Sequence, residues 1–356
     1  MLRKAFVFVA CVCVLIVVSS CKKKETHLIS EEKPKQTEAV RERKAGEPYV
    51  MHIGHAQSVE SPRHRSLLFF KRQVEKLTAG NVVVEIFPNG IVGDEAQMTK
   101  SVSEGALEAV RGGDLEFVPK SMLLGLPMIA DTLEDARKLC YSNFVQGMFS
   151  VAKEKNMMVL AVGDDSGFRQ ITNSERPLVK PSDFKGLTIR APQIPATVNF
   201  ITELGASAMV VPFTELYAAL AVGKVAGQEN PLALIDSSKF YEVQKYCTMI
   251  NYQFFPELMF VNLDWWNELP QRYQSVVRSC ANDMMEENGR ITDAENESYI
   301  KHIEENGCHF TYLTPEQRAA FLPYAERVWR KFIDDGYASK AELKEMLALV
   351  GKTISW

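Results

Sequence analysis

The sequence lacks a surplus of charge of either sign. Its 356 residues include 41 lysine and arginine side chains and 45 aspartate and glutamate side chains, which gives a net charge of −4 at pH 7. Proteins that bind nucleic acid usually carry a basic face, and no such face stands out here. Nucleic acid is therefore not an expected partner.

Catalytic motifs are also absent from the sequence. It contains no G-x-S-x-G nucleophile elbow, no P-loop and no H-E-x-x-H pair, and the segment 163–167 has the wrong spacing for the first of these. His52 and His55 are three residues apart, but on a predicted strand and loop they do not share a helical face. We therefore expect no catalytic residues, no metal and no cofactor, and a protein that is not an enzyme.

C-x-x-C pairs are missing as well, which argues against a zinc ribbon or a thioredoxin-type site. Four cysteines lie in the part that we expect to fold: Cys140, Cys247, Cys280 and Cys308. An oxidising compartment allows disulfides, but the wide spacing dictates no pairing, so free thiols and disulfides both stay open.

The apolar run near the N-terminus is too short to span a membrane. It covers residues 5–18 and follows Arg3 and Lys4, a pattern typical of a signal peptide over residues 1–20. Cys21 comes directly after small residues, as in a bacterial lipobox. This predicts a palmitate-bearing lipoprotein that is periplasmic and lipid-anchored to the inner membrane. An ordinary secretory signal cleaved nearby is the alternative.

Residues 21–47 have no aromatic side chain, few apolar ones and charges of both signs. Such a segment cannot bury enough surface to order itself, so we predict a flexible tether. A tether of this length reaches about 30 Å root-mean-square from its anchor.

Beyond the tether, apolar periodicity predicts alternating strands and helices. The predicted strands cover residues 49–53, 82–87, 157–162, 187–190, 208–211 and 258–263. The predicted helices cover residues 64–77, 95–107, 195–204, 215–222 with Thr214 as N-cap, 239–246, 270–305 and 315–331. This alternation predicts an α/β fold with mostly parallel sheets, and the chain length suits two domains.

Several candidate binding residues follow these strands. Arg190 and Arg169 lie at or just past strand ends, and Phe213 and Asn230 follow a strand and a turn. Parallel α/β sheets bind ligands beyond the carboxyl ends of their strands. Because guanidinium offers a planar fork to a carboxylate, these residues predict an anion site. The alternatives are pairing of Arg190 with an internal carboxylate such as Glu229, a supporting or hinge role for Arg169, a core position for Phe213, and a turn role for Asn230.

Four segments carry a family resemblance. They read VVVEIFPNGIVGDEAQM, GFRQITNSERPLVKPSDFKGLTIRAP, LGASAMVVPFTELYAALAVGKVAGQENPLALI and KFYEVQKY. Over about residues 49–330 the chain resembles the solute-binding proteins of tripartite ATP-independent periplasmic (TRAP) transporters, of the C4-dicarboxylate-binding type. The resemblance implies a periplasmic-binding-protein-like fold of two α/β lobes, joined by hinge strands and one long lobe-spanning helix. We expect residues 48–167 plus 256–294 in lobe I, and residues 168–255 plus 295–356 in lobe II.

The resemblance also implies roles for single residues. Arg190, in the I-R-x-P segment, makes the main salt bridge to a ligand carboxylate, and Arg169, in G-x-R-x-x-T-N, helps to anchor the ligand. Asn230 of the Q-E-N-P turn donates a hydrogen bond to the carboxylate. Phe213 packs on the ligand, and Gln193 faces the pocket.

Departures from the family pattern concern the far end of the ligand. A position that is usually polar in relatives becomes Ala56, the segment 111–114 becomes Arg-Gly-Gly-Asp, and an aromatic position becomes Met128. Fewer polar side chains would then meet the end away from Arg190. This predicts a rather apolar monocarboxylate rather than a C4-dicarboxylate or a sugar acid. Four further side chains are candidates to reach the pocket: His55, Gln57, His64 and Arg111.

Together these patterns predict capture and release rather than turnover. We expect an extracytoplasmic solute-binding protein that takes up a small organic acid and delivers it to the integral membrane subunits of a TRAP-type permease. An accessory periplasmic lipoprotein is a further partner that the resemblance leaves open. A ligand sensor or scavenger lipoprotein on the same fold, without a permease, is the alternative.

Overall fold

The computed structural model describes residues 46–356. The predicted signal peptide, the predicted lipidation site Cys21 and nearly all of the predicted tether lie outside the described residues. Within residues 46–356, no helix combines the length and the apolar character that a membrane crossing needs.

The strands of the described part form one sheet. They are β1 (Tyr49–Gly54), β2 (Val82–Phe87), β3 (Ala109–Gly112), β4 (Met157–Asn173), β5 (Thr188–Ala191), β6 (Ser207–Val210), β7 (Gly227–Pro231), β8 (Tyr246–Asn262) and β9 (His309–Tyr312). Their order is β2-β1-β3-β8-β4-β7-β5-β6, and β9 pairs with β8. Most neighbours run parallel, while β8 is antiparallel to β3 and β4, and β4 is antiparallel to β7.

Helices connect these strands and pack against them. The α-helices are α1 (Pro62–Leu77), α2 (Glu95–Ser103), α3 (Leu133–Tyr141), α4 (Asn143–Met148), α5 (Pro195–Glu203), α6 (Leu216–Ala221), α7 (Leu232–Ser237), α8 (Leu263–Glu268), α9 (Gln271–Glu305), α10 (Pro315–Ala319), α11 (Leu322–Asp334) and α12 (Lys340–Leu349). Short 3-10 helices cover Pro119–Gly125, Phe149–Lys155, Pro181–Phe184, Phe213–Glu215 and Phe240–Glu242.

The predicted two-lobed α/β fold with mostly parallel strands is confirmed. We call the half built on β1, β2 and β3 lobe I, and the half built on β5, β6 and β7 lobe II. The strands β4 and β8, each 17 residues long, pair antiparallel and run from one half into the other. Their register shifts between Asp164 and Phe168, where Ser166 and Gly167 have positive φ angles. The residues at which the lobes divide remain a prediction.

The predicted long helix is also confirmed. With 35 residues, α9 packs against α1 of lobe I and α7 of lobe II, and against β4. Its buried side chains enter two separate hydrophobic clusters. Val277 and Met284 belong to the cluster under β1 and β2, and Tyr299 and Ile303 belong to the cluster under α6 and α7.

Three local predictions are wrong. The helix predicted over 95–107 ends at Ser103, because Gly105 turns with φ 76°, and the unpredicted strand β3 follows. Thr214 is not an N-cap, since the chain enters α6 through the 3-10 turn Phe213–Glu215 without any side-chain cap. Residues 239–246 are not a helix beyond a single 3-10 turn.

Two predicted strands are much longer than expected. β4 continues eleven residues past 162 to Asn173, and β8 begins at Tyr246 rather than at 258. The added stretches hold buried polar side chains such as Arg169, Thr172 and Gln253, which interrupt the apolar pattern. These stretches are nevertheless strands, because backbone pairing extends them: β8 pairs with both β4 and β9 at this end of the sheet.

The four cysteines in residues 46–356 are buried and free in the structure. The structure thus contains thiols, the first of the two alternatives that the spacing left open.

Candidate ligand-binding cleft

Arg190 lies near the carboxyl end of β5, between β6 and β7. Arg190 lies at the boundary between the lobes because the largely buried parallel strand Thr188–Ala191 ends there. Its side chain is only 2% exposed, and its Nε donates a hydrogen bond of 2.8 Å to the carbonyl oxygen of Val211, which follows β6.

Arg190 has no carboxylate within salt-bridge distance among residues 46–356. Burial lowers its pKa to about 10, and the nearby charge of Arg169 acts in the same direction while Glu229 opposes it. At neutral pH the side chain remains protonated, so the cleft contains a buried cation without a direct counterion. Such a charge is costly until an anion pairs with it.

A cavity of about 160 Å³ opens beside Arg190. Four of the predicted ligand-binding residues line it: Ala56 from lobe I, and Arg190, Gln193 and Phe213 from lobe II. A second cavity of about 50 Å³ shares Arg190 and Phe213 and is also lined by Arg169 and Asn230. The structure therefore brings all six predicted residues to two adjoining cavities, and their ligand contacts remain a prediction.

Arg169 differs from Arg190 because it is already neutralised. Its Nη2 donates to Glu229 Oε1 at 3.0 Å and to Asn230 Oδ1 at 2.9 Å, its Nε pairs with the other oxygen of Glu229, and its Nη1 lies 3.4 Å from Asp165. Burial alone would lower the pKa of Arg169, but the Glu229 carboxylate outweighs it and raises that pKa. Glu229 therefore forms its salt bridge with Arg169 and not with Arg190.

The amide of Asn230 already makes two hydrogen bonds inside the protein. Its oxygen accepts from Arg169, and its nitrogen donates to Gln228 Oε1 at 2.5 Å. Gln193, by contrast, reaches across the cleft, where its Nε2 donates to Glu116 Oε1 at 3.0 Å. The amide nitrogen carries a second N–H, so a hydrogen bond from Asn230 to a ligand does not require the bond to Gln228 to break.

The cavity of about 160 Å³ has an acidic side that the sequence did not lead us to expect. Asp94, Glu95, Asp114 and Glu116 line it from lobe I. The expectation of few polar side chains at this end is therefore wrong. The signal that could have revealed them is the strand-end rule, since both acidic pairs follow strands of lobe I at the cleft edge.

The two glycines of the segment 111–114 explain how these carboxylates fit. A Cβ atom on Gly112 would lie 3.2 Å from Glu95 Oε1, and one on Gly113 would lie 2.7 Å from the ring of Phe255. The absence of side chains at Gly112 and Gly113 therefore makes room for the Glu95 carboxylate and for an aromatic wall. It does not leave an apolar gap.

Comparison with known proteins identifies the family. Residues 53–335 match the family model described as bacterial extracellular solute-binding protein, family 7. The chain belongs to this family. Its family and structural relatives are solute-binding proteins rather than enzymes, which confirms the prediction that the chain is not an enzyme.

Individual relatives agree with this assignment. The C4-dicarboxylate-binding periplasmic protein DctP of Rhodobacter capsulatus is 28% identical over 280 residues, which cover 77% of this chain and 84% of that protein. A TRAP periplasmic solute-binding protein from Desulfovibrio salexigens, solved with bound orotic acid, is 26% identical with a TM-score of 0.79, and the match covers 85% of this chain and 97% of that one. An uncharacterized protein y4mM of Sinorhizobium fredii is 34% identical over 208 residues, 56% of this chain but only 38% of that protein. The resemblance to TRAP solute-binding proteins is confirmed.

A network of buried ion pairs around Arg63 and Glu257 lies next to the cleft of this solute-binding protein. Arg63 donates to Glu95 at 2.9 Å and to Asp165 at 3.0 Å, and it also pairs with Glu257, which binds Arg111 at 2.8 Å. Burial raises the pKa of Glu257 to about 7 against the attraction of both arginines. Because Arg63 contacts carboxylates from α2, β4 and β8, the network fixes the position of Glu95 relative to these two strands.

The four further candidates lie mostly outside the cavities. Gln57 lines the small cavity and donates to Asp165 at 2.8 Å. Arg111 is fully buried and donates to Glu257, and ring nitrogens of His55 and His64 lie 3.0 Å apart. None of these three lines either of the two cavities beside Arg190. Burial lowers the pKa of His55 to about 2, which leaves it neutral.

Proposed function

We propose that this solute-binding protein captures an organic acid by holding a ligand carboxylate on Arg190, and delivers the acid to a TRAP-type secondary transporter. The observation that carries the proposal is the buried, protonated Arg190, which lines the cavity and lacks a carboxylate partner in residues 46–356. A planar guanidinium binds a carboxylate through two parallel charge-assisted hydrogen bonds. An arriving acid would therefore relieve the cost of the buried charge and favour closure of the lobes.

The proposed ligand is a monocarboxylate with an apolar portion. The wall of the cavity includes the apolar side chains of Ala56, Met122, Ile194 and Phe213, against which such a portion could pack. The acidic side chains on the lobe I wall would repel a second carboxylate at that end of the ligand, because like charges in a partly buried site are strongly unfavourable. A C4-dicarboxylate is therefore a poor fit.

The other predicted residues take supporting roles in this proposal. Arg169 contributes mainly by holding Glu229 and Asn230 in place, since its charge is already paired. Asn230 donates to the carboxylate through the second N–H of its amide, while the first donates to Gln228. Phe213 packs on the body of the ligand, and Gln193 closes the cleft by its bond to Glu116.

We further propose that the protein works in the periplasm, anchored through a lipid on Cys21. The proposal rests on two features of the sequence, namely the short apolar run and the cysteine that follows small residues. A tether over 21–47 would let the folded part reach permease subunits in the same membrane. The proposed lobe boundaries, near 167 and 255, fall within β4 and β8 and would place the hinge in these two strands.

Native mass spectrometry of the purified protein, followed by a thermal-shift panel, tests the proposed ligand class. The panel compares 4-methylpentanoate and leucine with succinate and galactonate, all at the same concentration and pH. We expect stabilisation by 4-methylpentanoate or leucine, which have an apolar portion, and not by succinate or galactonate. A response confined to succinate or galactonate would contradict the proposal of an apolar monocarboxylate, and no response to any acid would contradict the arginine clamp. Uptake into vesicles with permease subunits then distinguishes a transport protein from a sensor or scavenger.

A further inference from the structure

The cavity beside Arg190 has a wall of opposite charge. The carboxylates of Asp94 and Glu95 come from the start of α2, and those of Asp114 and Glu116 come from the loop after β3. Both elements belong to lobe I, whereas Arg190 belongs to lobe II. A ligand between the lobes would therefore have a cation on one side and carboxylates on the other.

Three of these carboxylates have no cationic partner among residues 46–356. Asp94 accepts from the backbone of Gln97 as a helix cap, and Asp114 accepts from the backbone of Glu116 at 3.0 Å. Glu116 accepts from the neutral amide of Gln193. Only Glu95, the fourth carboxylate, is held in an ion pair, with Arg63.

The negative charge on this wall is thus poorly compensated. Burial raises the pKa of Asp114, and the charges of Glu116 and Asp94 act in the same direction, against hydrogen bonds from the Glu116 backbone and the Thr99 side chain. Asp94 and Asp114 are half-buried and Glu116 is exposed, whereas the Arg190 guanidinium across the same cavity is buried and unpaired. Charges of opposite sign thus face one cavity from the two lobes.

We infer that the ligand is a zwitterion, an amino acid whose carboxylate binds Arg190 and whose protonated amine binds the carboxylates of Asp114 and Glu116. This inference rests on the proposed function and names the chemical class of its ligand. The ammonium group donates up to three hydrogen bonds, which suits a wall of several acceptors. The apolar side chain of the amino acid then lies against Met122 and Ile194.

Other cations or donors fit the wall less well. Within residues 46–356, no group of three or more histidine, cysteine, aspartate or glutamate side chains is arranged to hold a metal ion. The hydroxyl groups of a polyhydroxy acid could donate to the same carboxylates. However, neutral hydroxyls would leave the net negative charge of the wall unchanged, whereas an ammonium group offsets one unit of it.

Matched ligand pairs test the inference, with calorimetry on the folded chain at pH 7. Each pair differs only in the amine: leucine against 4-methylpentanoate, 4-aminobutyrate against butyrate, and 5-aminopentanoate against pentanoate. We expect the amine to improve affinity by about 10- to 100-fold in the pair whose spacing fits, since a charge-assisted hydrogen bond contributes about 1.5–3 kcal/mol. The three pairs vary the distance between the two charged groups and so report the spacing that the cleft accepts.

Variants of the wall give the second readout. In Asp114→Asn with Glu116→Gln, we expect the preference for the amine to fall to less than about threefold while the deamino acid still binds. The matched control is Glu203→Gln, an exposed carboxylate paired with Arg327 away from the cleft, which should keep the full preference. Equal or tighter binding of the deamino acid, or a clear preference for galactonate, would overturn the zwitterion inference and leave the arginine clamp intact. Failure of every acid to bind would instead overturn the proposed function.

Discussion

Replacing Arg190 with methionine should weaken ligand binding and stabilise the empty protein at the same time. Methionine retains most of the apolar stem and removes only the charge and its donors. The bound acid loses the two parallel hydrogen bonds of the guanidinium fork. At about 1.5–3 kcal/mol for each charge-assisted bond, affinity should fall by roughly a hundredfold to ten-thousandfold.

The stability of the empty protein should rise, for a reason that follows from the pKa of Arg190. Burial lowers that pKa from 12.5 to about 10, so the folded state binds the proton less tightly than the unfolded state does. The charge therefore opposes folding in full below pH 10, by about 3 kcal/mol, and this cost disappears only above the unfolded pKa. The Val211 carbonyl loses its hydrogen-bond donor in the variant, and this loss destabilises the folded state by about 1–2 kcal/mol.

The net gain is then about 1–2 kcal/mol, or a Tm higher by a few degrees. Calorimetry with the best acid of the panel measures the affinity, and differential scanning calorimetry of the ligand-free protein measures the stability. The matched control is Arg327→Met, whose exposed arginine pairs with Glu203, and we expect little change in either quantity. Affinity within threefold of the parent chain, or a ligand-free variant less stable than the parent, would refute this account of Arg190.

Three further predictions follow from neighbouring contacts. Arg169→Met should destabilise the protein by about 3–5 kcal/mol in urea unfolding, because it leaves Glu229 buried without its partner; a stable variant would show that Arg169 is not structural. Because the pKa of Asp114 is raised in the folded state, the ligand-free protein loses stability as the pH rises from about 4 through that pKa. In thermal scans, the Asp114→Asn variant should be more stable than the parent at pH 7 and equal to it at pH 3. Gly113→Ala places a Cβ atom 2.7 Å from the ring of Phe255 and should cost about 1–3 kcal/mol, measured by denaturant midpoint.

Elements with a strong local pattern could be predicted from the sequence, and elements fixed by pairing could not. The β-branched run of β2 has the predicted bounds, and α9 ends at the predicted residue, Glu305. By contrast, Tyr246 looks helical by its neighbours but begins β8, because it pairs with Asn173 of β4 and His309 of β9. Those partners are 73 and 63 residues distant in sequence, beyond the reach of any local pattern.

The same limit applies to the two arginines of the cleft. Sequence motifs single out Arg169 and Arg190 together, as two anchors for one anion. Only the antiparallel pairing of β4 with β7 distinguishes them, because Arg169 lies opposite Pro231 and so has Glu229 as its diagonal neighbour on the same face. Arg190 lies on β5, whose register with β7 offers it no such carboxylate.

By itself, then, the sequence determined the two-lobed α/β class, the long connecting helix, the family and the strand-end arginines, since each depends on local composition, periodicity or ordered motifs. The tertiary structure decided which arginine is left with an unpaired charge and what faces it across the cleft. The glycines at 112 and 113 suggest an empty, apolar space when the chain is viewed in one dimension. In three dimensions the carboxylate of Glu95 and the ring of Phe255 fill that space, because the volume left by an absent side chain is taken by neighbours that are distant in sequence.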